Sequence, residues 1–458
     1  MFSKNDWKNR RVLILGLARS GTEAAYLLHQ LGADVTVNDS LAFDENELAQ
    51  ELQSLGIRTV CGSHPPELIE EKPEVLVKNP GIRYDHELVQ KAVEAGIPII
   101  TEVEAAYDAA PCDMIGITGS NGKTTTTTYI HEMLKGSSRQ PLLAGNIGET
   151  ASKVVRQASS DHVMVTELSS FQLMGTVNFR PNVAVLLNIA DAHLDYHGSK
   201  EAYIEAKAML FRNQTESDTL VYNADDPIVC SMVESAPSIK IPFSTKKKLA
   251  DGACLFDGWL WLHGEKLVRE TDFSLPGSYN IANGLAAAAA AAAAGAELEQ
   301  IKSVLRQFGG VEHRLQHVMV WKERTFFNNS KATNVPAAVT SLQAFTQPVI
   351  LIAGGLDRGL SFDGLIPEMS NVHGLISYGE TACKLLEAGE SAGVPERHQT
   401  ETLEKAVELA IDVSREGDVI LLSPACASWD QFSTFEERGR TFIHAVEQAT
   451  GKKAGNHT

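Results

Sequence analysis

The sequence is short of positive charge. Its 458 residues contain 40 lysines and arginines against 58 aspartates and glutamates, giving a formal net charge of −18. So acidic a chain does not suit binding to nucleic acid or to an anionic membrane, because both attract proteins through positive charge. Any phosphate-binding site must therefore be a local basic pocket on an acidic protein.

The sequence also lacks a long apolar run. The nearest approach is residues 284–296, which include an unbroken alanine run from Ala286 to Ala294. This segment is too short and too weakly apolar to cross a bilayer, so it predicts a close-packed helix. The first ten residues, Met1–Arg10, are polar and have no signal-peptide core. We therefore expect a cytosolic protein without membrane insertion.

Cysteine is scarce and scattered, with six residues and no Cys-x-x-Cys pair. That spacing argues against a zinc site and against a disulfide framework, and it predicts reduced thiols in the core. The six are Cys61, Cys112, Cys230, Cys254, Cys383 and Cys426.

Short apolar segments alternate with helical patterns along the chain. Strands are predicted at Arg11–Gly16 and Asp34–Asp39, with a helix over Ala18–Leu31 between them. Similar sets begin at Met114 and near Val311. This alternation predicts an α/β protein with parallel, doubly wound sheets. The length suits three domains, which we place at residues 1–108, 109–310 and 311–458.

The most informative segment is Gly116–Thr125, which reads Gly-Ile-Thr-Gly-Ser-Asn-Gly-Lys-Thr-Thr. A buried strand passes through a glycine loop into a helix, an arrangement that points backbone N–H groups at a phosphate. Lys123 is placed to reach the outer phosphates, and the Thr124 hydroxyl to bind Mg²⁺. The spacing departs from the standard pattern, which has glycine where this chain has Ile117. The alternative is an ordinary glycine-rich turn.

Two polar residues follow neighbouring predicted strands of the second domain. Glu167 ends the strand at Val163–Thr166, where a carboxylate beside a phosphate loop suits a magnesium ligand. His193 comes soon after the strand at Val183–Leu187. Taken alone it would be a loop histidine, but ligands collect at the carboxyl ends of parallel strands.

Three further residues of this domain are ambiguous from the sequence. Lys207, judged from its neighbours alone, reads as a solvated helix lysine. Asn280 and Asn283 stand three apart on a predicted helix, so that both amides face one way. They suit recognition of an adenine edge and helix capping equally well.

The first domain carries a glycine turn, Gly16–Gly21, after its first strand, and Asp39 at the end of the second. The turn is similar to a dinucleotide fingerprint but lacks the middle glycine. A nicotinamide cofactor is one interpretation; a different nucleotide, held by a strand-end carboxylate and loop amides, fits better. Asn79–Gly81 is a further turn after a strand, which is either a plain turn or part of the same site.

The third domain places small polar and basic residues at strand ends. Lys331 and Thr333 follow the strand at Thr325–Phe327, and Arg358 follows the strand at Pro348–Ile352. Together they predict a site for a compact, charged substrate. The segments concerned are Glu312–Arg314, Asn328–Asn334, Gly354–Arg358 and Ser423–Asp430.

Several of these motifs, taken in order, resemble the Mur ligases of peptidoglycan synthesis, and among them the D-glutamate-adding members. The resemblance runs from about residue 11 to residue 440. It implies a Rossmann-like N-terminal domain, a central P-loop ATPase domain and a Rossmann-like C-terminal domain. The motifs that carry it are Thr118–Thr124, Glu167–Gln172, His193–Asp195, Ser330–Asn334 and Ser423–Ser428.

The resemblance also implies a reaction. A carboxylate of UDP-N-acetylmuramoyl-L-alanine would attack the γ-phosphate of ATP, and D-glutamate would then displace phosphate from the acyl phosphate. Such chemistry depends on positioning and on charge neutralisation, which suits a phosphate loop with Lys123 and Mg²⁺. We expect ATP, two magnesium ions, small-molecule substrates only and a monomer in the cytoplasm.

The family pattern assigns roles to particular positions. Catalytic roles would fall to Lys123, Glu167, His193 and Lys207. One magnesium would be held by Thr124 and Glu167, and a second by His193 and a carbamylated Lys207. ATP would contact Gly119, Ser120, Asn121, Gly122, Lys123, Thr124, Thr125, Asn280, Asn283 and Arg314. The UDP substrate would contact Arg19, Ser20, Asp39, Ser40, Asn79, Pro80, Gly81 and Asn146. D-Glutamate would contact Lys331, Thr333, Arg358, Ser428 and Phe435.

Two positions depart from the family pattern. Asn329 stands where aspartate is usual, so an amide replaces a charge expected near the nucleotide ribose. Arg358 stands where relatives carry lysine, and the two side chains bind anions differently. The alternatives are a ligase for another amino acid, a nucleotide-binding regulatory protein without turnover, and a dehydrogenase.

Overall fold

A computed structural model describes residues 7–190 and 192–454 of the chain. Residues 1–6, most of the polar segment considered above, lie outside the described residues. The chain divides into two compact units, Met1–Thr271 with Ala282–Leu305 and Asp272–Ile281 with Arg306–Thr458. Within these units it forms three sheets, each mainly or wholly parallel. The predicted α/β class is confirmed.

The first sheet lies in the first unit and is entirely parallel, in the order β3-β2-β1-β4-β5. Val12 and Ile14 pack on one face and Leu13 and Leu15 on the other. Both faces are buried, which is why β1 reads as a continuous apolar run. The elements are β1 (Arg11–Leu15), α1 (Arg19–Gln30), β2 (Asp34–Asp39), α2 (Glu47–Ser54), β3 (Arg58–Cys61), α3 (Glu67–Glu70), β4 (Val75–Lys78), α4 (Glu87–Glu94), β5 (Ile99–Ile100) and α5 (Glu102–Ala109).

The second sheet has nine strands in the order β14-β13-β12-β11-β10-β9-β6-β8-β7. Its last two strand pairs, β12 with β13 and β13 with β14, are antiparallel. The strands are β6 (Asp113–Thr118), β7 (Gln140–Gly145), β8 (His162–Glu167), β9 (Val183–Leu186), β10 (Thr219–Asn223), β11 (Ile239–Ser244), β12 (Ala253–Phe256), β13 (Trp259–Leu262) and β14 (Glu265–Arg269). The helices are α6 (Lys123–Leu134), α7 (Ala151–Val155), α8 (Ser170–Leu173), α9 (Leu194–His197), α10 (Lys200–Ala208), α11 (Pro227–Val233), α12 (Ser278–Ala293) and α13 (Leu298–Gln307).

The third sheet lies in the second unit, in the order β15-β16-β20-β17-β18-β19, and only its β15–β16 pair is antiparallel. The elements are β15 (Gln316–Trp321), β16 (Arg324–Asn328), α14 (Val335–Leu342), β17 (Val349–Gly354), β18 (Val372–Tyr378), α15 (Ala382–Ser391), β19 (Glu396–Gln399), α16 (Leu403–Val413), β20 (Val419–Leu422) and α17 (Phe435–Thr450).

The alanine-rich segment forms part of α12, as predicted, and its residues Leu285–Ala291 are fully buried. No helix in the described part of the chain is long and apolar enough to cross a membrane. All six cysteines are free. The prediction of core thiols is right for Cys254 and Cys426 but wrong for Cys383, which is exposed in α15.

Glu104 of α5 holds a loop of the first unit through three backbone bonds. Its carboxylate is fully buried and accepts the N–H groups of residues 177, 178 and 179, at 2.9, 2.6 and 3.1 Å. Glu104→Ala would leave one buried and two partly buried N–H donors without this acceptor, so we expect the free energy of unfolding to fall by about 3 kcal/mol. Urea denaturation measures this. Glu94→Ala, on an exposed position of α4, is the control, and equal stability of the two variants would contradict the prediction.

Candidate active site

The phosphate loop has the predicted form. β6 ends at Thr118, and α6 begins at Lys123 with Gly122 as its N-cap residue at φ +83°. The Lys123 ammonium donates to the carbonyl oxygens of Gly119 and Ser120, both at 2.9 Å. The loop thus presents a helix N-terminus with a lysine folded beside it, which is an anion-binding arrangement.

A carboxylate lies against the start of this helix. Glu167, at the end of β8, is 2% exposed and accepts the Thr124 hydroxyl at 2.7 Å. Its other oxygen accepts the Asn146 amide at 3.0 Å. The hydroxyl and carboxylate oxygens fit Mg²⁺, which prefers oxygen ligands and keeps several waters or phosphates. The protein itself thus offers only a hydroxyl and a carboxylate here. The described residues contain no cluster of three His, Cys, Asp or Glu side chains that could hold a metal.

The loop is braced by the neighbouring strand ends. The Asn188 side chain accepts the Asn121 N–H at 2.9 Å, and the Asn188 carbonyl accepts the Ser120 N–H at 2.9 Å. The Ser120 and Tyr203 hydroxyls are hydrogen-bonded at 2.9 Å. These contacts fix the loop before a ligand arrives, which reduces the entropy lost on binding.

Lys207 is not the solvated lysine that its sequence neighbours indicate. It is 1% exposed, and its side-chain nitrogen donates to the Gly119 carbonyl (2.8 Å) and the Thr118 hydroxyl (3.2 Å). Burial lowers the pKa of Lys207 to about 6, with Lys123 adding to the lowering and Glu167 opposing it. A lysine at the floor of the phosphate loop, neutral at pH 7, is suited to chemistry rather than to solvation.

His193 and Lys207 both lie near the Tyr203 ring. The His193 ring is 6.5 Å from the Tyr203 ring, while the Lys207 side-chain nitrogen lies 4.8 Å from that same ring. His193 also packs edge-to-face on Phe171, at 5.0 Å, and has an unusual φ of +56°. The two residues assigned to a second metal therefore share one aromatic neighbour.

Asn283 of α12 lies against the loop, whereas the Asn280 amide donates to the Pro276 carbonyl at 2.6 Å. A Cβ placed on Gly122 would come within 2.2 Å of the Asn283 amide oxygen.

We therefore expect Gly122→Ala to weaken ATP binding at least about tenfold, because the phosphate loop and α12 must move apart. Gly136→Ala is a matched control, since its φ is +80° and a Cβ there meets nothing within 4 Å. Calorimetric titration with ATP measures both, and equal affinities would contradict the prediction.

The turns predicted to bind the UDP substrate meet at the end of the first sheet, where the strand order reverses between β1 and β4. A Cβ on Gly16, at φ +91°, would lie 3.1 Å from that of Asn79. Asp39 accepts the N–H groups of Leu17 (2.7 Å) and Leu41 (2.9 Å), so it holds the turn after β1 and the turn after β2 together.

Arg19 connects the first glycine turn to the segment that carries Asn146. Its guanidinium bonds to the Glu149 carboxylate at 2.6 Å and to the Gly148 carbonyl. The pair is largely exposed, so it contributes little to stability. Ser20 follows Arg19 as the second residue of α1, and Ser40 is exposed just after β2.

In the second unit, Lys331 and Phe435 lie together, with the ammonium 3.9 Å from the ring centre. Thr333 donates its N–H to the Lys331 carbonyl at 2.9 Å. Arg358 lies 5.9 Å from the ring of Trp429, which directly follows the buried Ser428. Lys331 and Arg358 thus each lie near an aromatic ring.

Arg438 is a residue of this region that the sequence reasoning missed. It is fully buried and donates to Ser330 Oγ (3.0 Å), the Ser330 carbonyl (2.9 Å) and the Cys426 carbonyl (3.1 Å). It therefore ties the segments after β16 and β20 together. The sequence does contain a signal for Arg438, because it stands three residues after Phe435 and therefore one helical turn away from a predicted site residue.

The departures from the family pattern are accommodated locally. Asn329 is 8% exposed, accepts the Leu315 N–H at 3.1 Å and lies 3.5 Å from the Ser423 hydroxyl. An amide suffices for these contacts. Arg314 is exposed beside His313, whose φ is +63°.

The chain matches three family descriptions in order. They are the Mur ligase MurD-like N-terminal domain over residues 10–101, the Mur ligase middle domain over 117–291 and the Mur ligase glutamate ligase domain over 313–426. The fold is also similar to a solved MurF structure from Acinetobacter baumannii, with a TM-score of 0.60 at 17% identity over 95% of this chain and 93% of that one.

Curated relatives give a closer comparison. A UDP-N-acetylmuramoylalanine–D-glutamate ligase from Geobacillus kaustophilus is 54% identical over 443 residues, covering 96% of this chain and 98% of the relative. The enzyme of the same name from Halalkalibacterium halodurans is 53% identical over 438 residues, covering 96% and 97%. The chain therefore belongs to the Mur ligase family, in its UDP-N-acetylmuramoylalanine–D-glutamate ligase group.

Proposed function

We propose that this protein is an ATP-dependent ligase that joins D-glutamate to UDP-N-acetylmuramoyl-L-alanine in peptidoglycan precursor synthesis. The observation that carries the substrate assignment is the 54% identity, over nearly the whole chain, to a relative of that name. The phosphate loop with Lys123, Glu167 and Lys207 around it supports ATP-driven chemistry at this site.

The reaction runs in two steps. The alanine carboxylate of the UDP substrate attacks the γ-phosphorus of ATP, the bond to the β–γ bridging oxygen breaks, and an acyl phosphate and ADP result. The amine of D-glutamate then attacks the acyl carbon, loses a proton, and the tetrahedral intermediate expels inorganic phosphate. Lys123 and the loop N–H groups stabilise charge on the transferring phosphoryl group, which is the main demand of such a step.

Magnesium would be held by Thr124 and Glu167, and when bound it would neutralise charge on the ATP phosphates. We infer a second ion held by His193 and Lys207. A neutral amine can add CO₂ to form a carbamate, which turns Lys207 into an oxygen ligand. Its burial and lowered pKa support this modification, because the amine is already largely deprotonated above pH 6.

The binding roles follow the three sheets. We assign the UDP substrate to residues 1–108, ATP to residues 109–310 and D-glutamate to residues 311–458. Arg19, Asn79 and Asn146 would orient the UDP substrate, while Lys331 and Arg358 would bind the carboxylates of D-glutamate. We infer that the protein acts as a monomer in the cytoplasm, where its small-molecule substrates are made.

Product formation with a panel of amino acids tests the assignment. Purified protein is incubated with ATP, Mg²⁺ and UDP-N-acetylmuramoyl-L-alanine, and ADP release is followed with each D- and L-amino acid. Turnover that requires D-glutamate is the expected result. Turnover with another amino acid would overturn the substrate assignment, and ATP binding without turnover would favour the regulatory alternative.

A further inference from the structure

Lys78 lies beneath the turn assigned to the UDP substrate. β4 ends at this residue, and Asn79–Gly81 follow directly. The Lys78 side chain is 1% exposed, and its ammonium donates to the Ile82 carbonyl at 2.7 Å and lies 4.7 Å from the Tyr84 ring centre. Burial lowers the pKa of Lys78 to about 8, so it remains charged at pH 7. A buried ammonium that binds the carbonyls of a turn holds that turn in one conformation.

Tyr196 lies in α9, which follows β9 of the second sheet, and its side chain contacts the same turn. Its hydroxyl lies 3.0 Å from the Ile82 carbonyl oxygen, 3.2 Å from that of Pro80 and 3.4 Å from the Lys78 ammonium. Its own N–H donates to the His193 carbonyl at 3.1 Å. One side chain therefore connects the carbonyls of the substrate turn to the loop that carries His193.

The connection continues through packed rings. Phe171 lies 4.4 Å from the Tyr196 ring, 5.0 Å from the His193 ring and 5.3 Å from the stacked His197 ring. Phe171 is four residues after Glu167, and His197 accepts or donates a hydrogen bond with Ser170 at 2.9 Å. Rings in such close contact move together, so a shift of Tyr196 is passed on to His193.

We propose that Lys78 and Tyr196 are positioning residues that couple occupancy of the Asn79–Gly81 turn to the placement of the His193 loop. The inference rests on the proposed function, since it takes the turn as the UDP site and His193 as part of the ATP centre. A UDP ligand that orders the turn fixes the carbonyls to which Tyr196 bonds. By linkage, the UDP substrate and the Mg²⁺–nucleotide complex then strengthen each other's binding equally.

Calorimetry on the full chain tests this coupling without turnover. The Kd of UDP-N-acetylmuramoyl-L-alanine is measured with and without Mg²⁺ and a non-hydrolysable ATP analogue. We expect the wild-type Kd to fall at least about fivefold when the nucleotide is present. Tyr196→Phe removes only the hydroxyl. In this variant we expect the nucleotide to change the Kd of the UDP substrate by less than about twofold, because the loss of a hydrogen bond can remove a coupling of this size.

Two further variants complete the test. Lys78→Met keeps the buried volume without the charge and is expected to reduce the coupling in the same way. Tyr222→Phe, on β10, is the control and should behave as wild type. Retained coupling in Tyr196→Phe, or the lack of coupling in the wild type, would overturn the proposal. If Tyr196→Phe is unstable, the coupling measured in Lys78→Met decides between these outcomes. Failure of D-glutamate turnover in a wild type that shows coupling would instead overturn the proposed function alone.

Discussion

Replacing Lys123 with methionine is expected to lower kcat for ligation about a thousandfold. The Lys123 ammonium lies at the start of α6, within 2.9 Å of two loop carbonyls, where it can shift to the transferring phosphoryl group. Charge neutralisation in that transition state is the main task of the site, and methionine supplies length without charge. Steady-state kinetics with saturating D-glutamate measure the effect.

The affinity for the UDP substrate should stay within about twofold in the same variant, because the residues assigned to that substrate do not depend on Lys123. Lys135→Met, just after the end of the same helix, is the matched control, since its exposed ammonium pairs with Glu132 at 2.8 Å. A Lys123→Met enzyme that keeps a tenth of wild-type kcat would refute the role given to Lys123.

Lys207→Met is expected to lower kcat at least about a hundredfold, through loss of the proposed carbamate oxygen ligand. Because carbamate formation needs CO₂ and a neutral amine, wild-type activity should also fall in CO₂-free buffer and recover when bicarbonate is returned. The pKa of about 6 places the amine in its neutral form above that pH, so activity should decline as the pH falls through 6.

The bicarbonate response separates this role from simple packing. Methionine fills the buried space left by the lysine stem, so Lys207→Met should fold, and its residual activity should not respond to bicarbonate. Small carboxylates such as acetate should restore part of the activity by supplying the missing oxygen. Full activity of the wild type after exhaustive removal of CO₂ would contradict carbamylation.

Much of the fold could be predicted from the sequence, because it depends on local patterns. β1, α1 and β2 appear within a residue or two of their predicted bounds, and β1, which is buried on both faces, reads as an unbroken apolar run. The antiparallel extension β12–β14 was not predicted, because short turns join its strands, whereas the predicted pattern was of strands alternating with helices.

The candidate site was predictable where residues follow strands directly. Thr124 and Glu167 meet at 2.7 Å because the carboxyl ends of adjacent parallel strands share one edge. Lys207 could not be assessed in this way. Its burial depends on a helix packing over the phosphate loop some ninety residues away in sequence, and only the resemblance to a known family pointed to it. Tyr203, which lies one helical turn before Lys207, was missed for the same reason.

The most direct test of the acyl-phosphate route follows oxygen from substrate to phosphate. UDP-N-acetylmuramoyl-L-alanine labelled with oxygen-18 in its alanine carboxylate is converted with ATP, Mg²⁺ and D-glutamate, and the released phosphate is analysed by mass spectrometry. One carboxylate oxygen becomes the bridging oxygen of the acyl phosphate and leaves with phosphorus, so the account predicts one labelled oxygen in each phosphate. Unlabelled phosphate alongside normal product formation would contradict it.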